Sequence, residues 1–342
     1  MKQSTNPTVI SPMGLIKKLK RRLRTEINFL FFREYRFKRH VRRHLKKYYS
    51  PDAPKRAARQ GLVISMADGR CHHGGLCDRL RTYTATYRYC MANGLPYAIY
   101  FRVPFRLEDY LEPNSYDWRV NDDEVSFNSE ETNVLYTDTS GDAGERELRF
   151  REKVYCKFLS DKKYCQHHFY SSFSDFGDEF GPTFRELFRP NERIQELIDR
   201  ETTKIGGDYV SVATRFLELL GDFREPKAKH RLSDYERKEL IAACLSKIED
   251  IHRQYPDHKI LVTSDSQRFV EEASRLPYVH MIEGHITHVD TTDSEDHTKT
   301  FLDFFMISKA EKVFQLQLGP MYGGFFSKSA AMAGARPFER IN

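Results

Sequence analysis

With 342 residues, of which 39% are hydrophobic, 13% aromatic and 30% charged, the chain is long enough for two domains, each burying its own core. The Phe and Tyr content excludes a disordered chain, and no apolar run approaches the roughly 20 residues of a membrane-spanning helix. The longest stretches, such as residues 29–32, fall far short, and no signal-peptide core with a cleavage site follows the N-terminus. A cytoplasmic protein is expected, and in that setting Cys71, Cys77, Cys90, Cys156, Cys165 and Cys244 read as reduced thiols.

The net charge of +6 hides an asymmetry. Residues 17–59 carry 17 Lys and Arg against three acids, a local charge of +14 that leaves the rest of the chain at −8. Within this segment Leu19, Leu23, Ile27, Leu30, Phe31, Phe37, Val41 and Leu45 recur mostly at three- and four-residue spacing, which predicts an amphipathic helix over 15–49. Such a helix lies peripherally on an anionic membrane surface, or packs on the protein's own lobe, or binds a partner. The acidic remainder argues against nucleic acid as that partner.

In chain order, the run Gly61–Ala67 predicts a strand, Gly74 and Gly75 a loop, and Asp78–Asn93 a helix. Tyr97–Val103 and Asn133–Tyr136 are further strands, whereas 104–132 and 139–180 read as loop-rich insertions. From Pro190 the alternation is cleaner: helices over Asn191–Thr203, Ser233–Tyr255, Gln267–Leu276, Thr298–Ala310 and Ser327–Ala333, and strands over Tyr209–Phe216, Lys259–Ser264, Val279–Ile282 and Lys312–Leu316. That alternation predicts right-handed βαβ units around a parallel sheet, with ligands bound beyond the C-terminal strand ends.

Several unusual residues fall at those ends. Arg215 closes a strand expected to be buried on both faces, so it needs an anion: a diphosphate, or a structural pair with Glu218 or Asp222. Gly323 and Gly324 lead into a helix with Ser327 expected as its cap, an arrangement that suits phosphate. The Walker pattern is missing, so ATP hydrolysis is not expected. Between the first strand and helix, His73, Gly74, Gly75, Asp78 and Arg79 either form a ligand loop or a plain turn with Asp78 as cap. Neither Cys71, His72, His73 and Cys77 nor Cys165, His167 and His168 has the spacing of a structural zinc site.

Taken together these segments resemble the GDP-fucose-dependent fucosyltransferase superfamily of the α-1,2, α-1,6 and O-fucosyltransferase kind, including its bacterial glycan-biosynthesis members. The family's glycine-leucine-glycine-asparagine-arginine-leucine-arginine motif is similar to Gly75-Leu76-Cys77-Asp78-Arg79-Leu80-Arg81, departing at Cys77 and Asp78. Its histidine-any-arginine-arginine-glycine-aspartate motif is similar to Ala213-Thr214-Arg215-Phe216 running on to Gly221-Asp222, without the histidine and the second arginine. Its threonine-serine-aspartate element is similar to Thr263-Ser264-Asp265, its leucine-aspartate-leucine helix to Leu302-Asp303-Phe304, and its serine-any-serine segment to the stretch from Gly324 to Ser327.

The resemblance covers residues 60–338 and implies an α/β protein of GT-B fold, with two Rossmann-like lobes behind the basic N-terminal extension. Its division would be 1–57 for the extension, 58–190 for an acceptor-side lobe and 191–342 for a nucleotide-sugar lobe. It implies that Arg215 holds the donor's β-phosphate, that Asp303 reads guanine, and that Ser264, Asp265, Gly323, Gly324 and Ser327 line the donor site. The expected partners are a nucleotide sugar and a glycan acceptor, with inversion at the anomeric carbon and no cofactor. The missing Asp-any-Asp motif agrees with a reaction that needs no metal. Asp222, Glu218, Asp78 and His73 are candidate bases. The alternatives are a transferase using another nucleotide sugar and a degenerate GT-B protein that binds without transferring.

Overall fold

In a computed structural model of the chain the described residues are 20, 23, 41, 43–56, 59–137, 153–171, 179–221, 232–284 and 296–342. Most of the expected amphipathic helix, and Asp222, lie outside them.

The first lobe starts with β1 (Leu62–Ala67), every residue of which is buried, as its apolar run requires of a strand covered on both faces. It runs into α1 (Leu76–Ala92), β2 (Tyr97–Phe101), β3 (Leu111–Pro113), β4 (Thr132–Thr137) and β5 (Gln166–Ser171). A parallel sheet of order β2-β1-β5-β4 results. The region expected to be an insertion over 139–180 therefore contains a central strand. Its Gln-His-His letters conceal it: all three side chains are buried, and although Gln166 and His168 find partners, Nδ1 of His167 has none among the described residues. Gln166 Oε1 accepts from the Ser126 N–H at 2.9 Å, and its amide donates to the Glu124 carbonyl at 2.6 Å.

Next come α2 (Phe180–Leu187), β6 (Phe188–Pro190), which pairs antiparallel with β3, and α3 (Glu192–Ile205). Asn191 caps α3 by accepting from the Ile194 N–H, and Gly206 ends it in the left-handed region at φ 74°. The second lobe is β7 (Tyr209–Thr214), α4 (Asp234–Gln254), β8 (Lys259–Thr263), α5 (Gln267–Ala273), β9 (Val279–His280), α6 (Thr298–Lys309), β10 (Val313–Leu316), α7 (Phe326–Ala333) and β11 (Phe338–Ile341). Its five strands are parallel in the order β11-β10-β7-β8-β9. From β7 the chain winds outward to β8 and β9, then returns through α6 to β10 on the other side. The strand order reverses between β7 and β10, where open sheets of this kind bind ligands.

Besides a cluster of its own in each lobe, the two lobes share a core. One hydrophobic cluster joins Val63, Leu80 and Phe101 of the first lobe, through Phe184 and Leu187 of α2, to Phe301, Phe304 and Ala331 of the second. Tyr110 stacks on Phe301 with ring centroids 4.5 Å apart, and Arg185 of α2 donates to the Ala333 carbonyl at the end of α7 at 2.8 Å. The first lobe's own cluster lies on the outer face of its sheet, where fully buried Leu45 packs among Leu62, Ile64, Tyr136 and Tyr170. The C-terminal end of the basic segment is thus docked on the first lobe.

Candidate donor site between the lobes

The C-terminal ends of β7 and β10 present the second lobe's half of the site. Arg215 directly follows β7 and its carbonyl accepts from the Tyr322 N–H at 3.1 Å, which pins the loop after β10 against it. The guanidinium lies 5.8 Å from the Tyr322 ring centroid, over an aromatic ring that is half exposed. The turn after Arg215 is held from below: the Asp265 carboxylate accepts from the N–H groups of Phe216 at 2.7 Å and Leu217 at 2.9 Å. Leu217 has φ 55°, a backbone conformation that non-glycine residues keep only where the surroundings impose it. Burial raises the Asp265 carboxyl above the usual range, while those two N–H groups and Arg215 pull it down. Asp265 therefore positions the Arg215 turn. Ser264 plays a similar local part, its hydroxyl accepting from the Ser266 N–H at 3.1 Å.

The loop after β10 delivers α7. Gly324 is packed closely enough that a Cβ there would touch Arg215 Cδ at 3.5 Å and the Tyr322 ring at 3.6 Å. The Gly324 carbonyl accepts from the Gln315 amide, whose oxygen accepts from Arg340 of β11, both at 2.9 Å. The helix starts two residues earlier than its hydroxyls suggested: Phe325 is the N-cap and Ser327 sits in the first turn. Ser327 does not cap. Its Oγ is buried, with Ser327 2% exposed, and has no hydrogen-bond partner. A buried hydroxyl left so is costly unless a ligand completes it, and the free N–H groups of a helix start beside it favour an anion.

The first lobe faces this cluster with the start of α1. That helix begins at Leu76 with Gly75 as N-cap, which puts Asp78 in the first turn instead of at the cap. Arg79 is buried and structural in its contacts: Nε donates to the Gly74 carbonyl at 2.7 Å and a terminal nitrogen to the Val103 carbonyl at 3.0 Å. It thereby holds the Gly74-Gly75 loop in place. Cys77, fully enclosed, has its thiol pushed up to about 12 by burial; Asp78 adds to the rise, and the Ser329 hydroxyl of α7 opposes it by a hydrogen bond, with Arg81 and Arg215 also in electrostatic reach. The starts of α1 and α7 therefore meet across the lobes. Behind the loop, buried His73 stacks on Tyr170, and burial, then Arg79 and His72, keeps its imidazole neutral with a pKa near 3.

Two residues stand apart from this meeting point in their contacts or description. Asp303, on α6, is bound by Lys299 Nζ at 2.8 and 2.9 Å, and burial raises its carboxyl against the pull of that lysine. Reading a base with Asp303 requires Lys299 to share it. Asp222 follows Gly221, outside the described residues. Among the described residues no three His, Cys, Asp or Glu side chains form a metal-holding group, and all six cysteines are free.

No family model matches the sequence, and neither does any curated protein. Solved structures do match. A NodZ α-1,6-fucosyltransferase soaked with GDP-fucose, from Bradyrhizobium, aligns with 80% of this chain and 92% of its own at TM-score 0.50 and 13% identity. An Arabidopsis thaliana FUT1 mutant in complex with GDP aligns with 89% of this chain and 72% of its own at TM-score 0.51 and 12% identity. The chain has the GT-B fold of these fucosyltransferases. At such identities the likeness is one of fold, and site chemistry must be argued from this chain's own residues.

Sequence reading brought Arg215, Gly323, Gly324 and Ser327 to one place because all sit at strand ends. It missed the part of Cys77, Arg81, Phe325 and Ser329, which face one another only once the two lobes are apposed. It also missed the buried cluster behind His73, where Tyr170 donates to Asp68 at 2.9 Å and Tyr49 to His168 Nδ1 at 2.7 Å.

Proposed function

We propose that this protein is an inverting glycosyltransferase that moves fucose from GDP-fucose to a hydroxyl of a glycan acceptor. The observation that carries the reading is the buried, unpartnered Ser327 hydroxyl at the start of α7, three residues after the Gly324 that packs on Arg215, at the strand-order reversal between β7 and β10. A diphosphate supplies acceptor oxygens for the hydroxyl, the helix N–H groups and the guanidinium together. In this reading residues 191–342 hold the donor and 58–190 the acceptor. The acceptor oxygen attacks the anomeric carbon from the face opposite the diphosphate. The bond to the β-phosphate oxygen breaks, its electron pair leaves with GDP, and Arg215, Ser327 and α7 stabilise the charge that develops there.

The acceptor's proton goes to a carboxylate, Asp222 or Asp78. His73 is the poorer base, since a pKa near 3 leaves little proton affinity. Asp303 reads the guanine edge once Lys299 yields part of its grip. The basic segment over 15–49 binds an anionic membrane surface peripherally, on the cytoplasmic side, which would place the enzyme in polysaccharide biosynthesis. Among the described residues no helix is long and apolar enough to cross a membrane.

Calorimetric titration with GDP, UDP and ADP without added metal tests the donor assignment. Selective GDP binding is the expected result, and equal affinity for the three nucleotides would remove both Asp303 as base reader and GDP-fucose as donor.

A further inference from the structure

On the second lobe, Arg215 is the one cation among the described residues 209–221 that form β7 and the turn after it. Phe216, which follows Arg215, is fully buried against Phe269 with centroids 5.0 Å apart and turns no charge toward the cleft. A diphosphate carries more charge than a single guanidinium and one short helix match, and the first lobe provides a second guanidinium at the same spot. Arg81, in the second turn of α1, lies 4.8 Å over the ring of Phe325, the N-cap of α7. Phe325 is 46% exposed. Gly324, the residue before it, is the one against which Arg215 packs. Both guanidiniums therefore flank residues 322–325, each over a ring of that loop: Arg215 over Tyr322 and Arg81 over Phe325. Ser327, with its unpartnered buried hydroxyl, is two residues further on. Among the described residues Arg81 forms no ion pair.

We propose that Arg81 is a donor-binding residue that closes on the β-phosphate from the first lobe, opposite Arg215, so that the two lobes together form an arginine clamp on the diphosphate. The inference rests on the nucleotide-sugar reading above. The β-phosphate is assigned because it is the one bonded to the sugar and so the one nearer the acceptor lobe from which Arg81 projects. A clamp drawn from both lobes also couples donor binding to lobe apposition: the anion replaces repulsion between two guanidiniums by attraction to each.

Titration of the full chain and of its Arg81→Gln and Arg81→Lys variants with GDP and with GMP separates the possibilities. GMP lacks the β-phosphate, so its affinity reports folding and the rest of the site. Arg81→Gln should weaken GDP at least about tenfold, the scale of one lost charge-assisted hydrogen bond, while GMP binding changes little. Arg81→Lys, which keeps the charge without the planar fork, should fall between. If the unaltered protein binds GDP selectively but Arg81→Gln leaves the GDP to GMP ratio unchanged, the clamp is wrong and the donor assignment survives. If the unaltered protein does not bind GDP, both fall.

Discussion

Arg215 and Asp265 illustrate a division of labour between neighbouring charged residues. Arg215 presents its guanidinium at a strand end, and Asp265 spends both carboxylate oxygens on the backbone of the turn that follows. Replacing Arg215 by alanine should lower transfer activity about 10²-fold or more by removing one preorganised charge contact; near-unaltered turnover in a folded variant would refute its role. His73 and His168 make a different kind of prediction. Burial is the main cause holding each imidazole neutral, with pKa near 3 against 6.5 for the free side chain. Between those values the unfolded chain binds protons that the folded chain does not. The stability they contribute is complete above about pH 6.5 and is lost as pH falls toward 3. His168 Nε2 lies 3.1 Å from Gln166 Oε1, which can only accept, so the proton sits on Nε2 and Nδ1 takes the Tyr49 hydroxyl. His168→Gln should therefore flatten the decline of the urea midpoint between about pH 6.5 and 4.5, and an unchanged slope would show that His168 does not drive it.

At the scale of elements, close approach is what the glycines around α7 provide. A Cβ at Gly334 would overlap the Ser308 carbonyl of α6, and one at Gly181 the Met332 carbonyl of α7. Backbone cannot swing aside as a side chain does. Gly334→Ala should lower stability by about 1–3 kcal/mol in denaturant unfolding, as overpacking does. Gly323→Ala should be far milder, since the atoms it would meet belong to the flexible end of Gln317. Equal losses would mean that α6 and α7 are not held by this contact. The same scale shows why some elements were legible in sequence and others were not. β1, β7 and β8 are short apolar runs buried on both faces and read as such. β5 is equally buried, yet its Gln166, His167 and His168 read as surface letters. Only tertiary partners such as Ser126, Glu124 and Tyr49 make that strand affordable in a core.

For the whole molecule, a segment of charge +14 precedes a remainder of −8. Because Val41, Leu45 and Tyr49 are anchored on the first lobe, a deletion should stop at residue 40 to leave that docking intact. The full chain should co-sediment with anionic liposomes, less so as salt rises, and lose binding on deletion of 1–40; retained binding would reject the membrane assignment. Periodicity and strand-end chemistry in the sequence alone determined the α/β class, the alternation of the second lobe and the positions of Arg215, Gly323, Gly324 and Ser327, since these depend on local backbone preference and burial pattern. What only the tertiary structure decided was the central place of β5, the core shared through α2, and the apposition of Arg81, Cys77, Phe325 and Ser329. Those contacts join residues more than 200 positions apart, and no local pattern encodes which two surfaces meet.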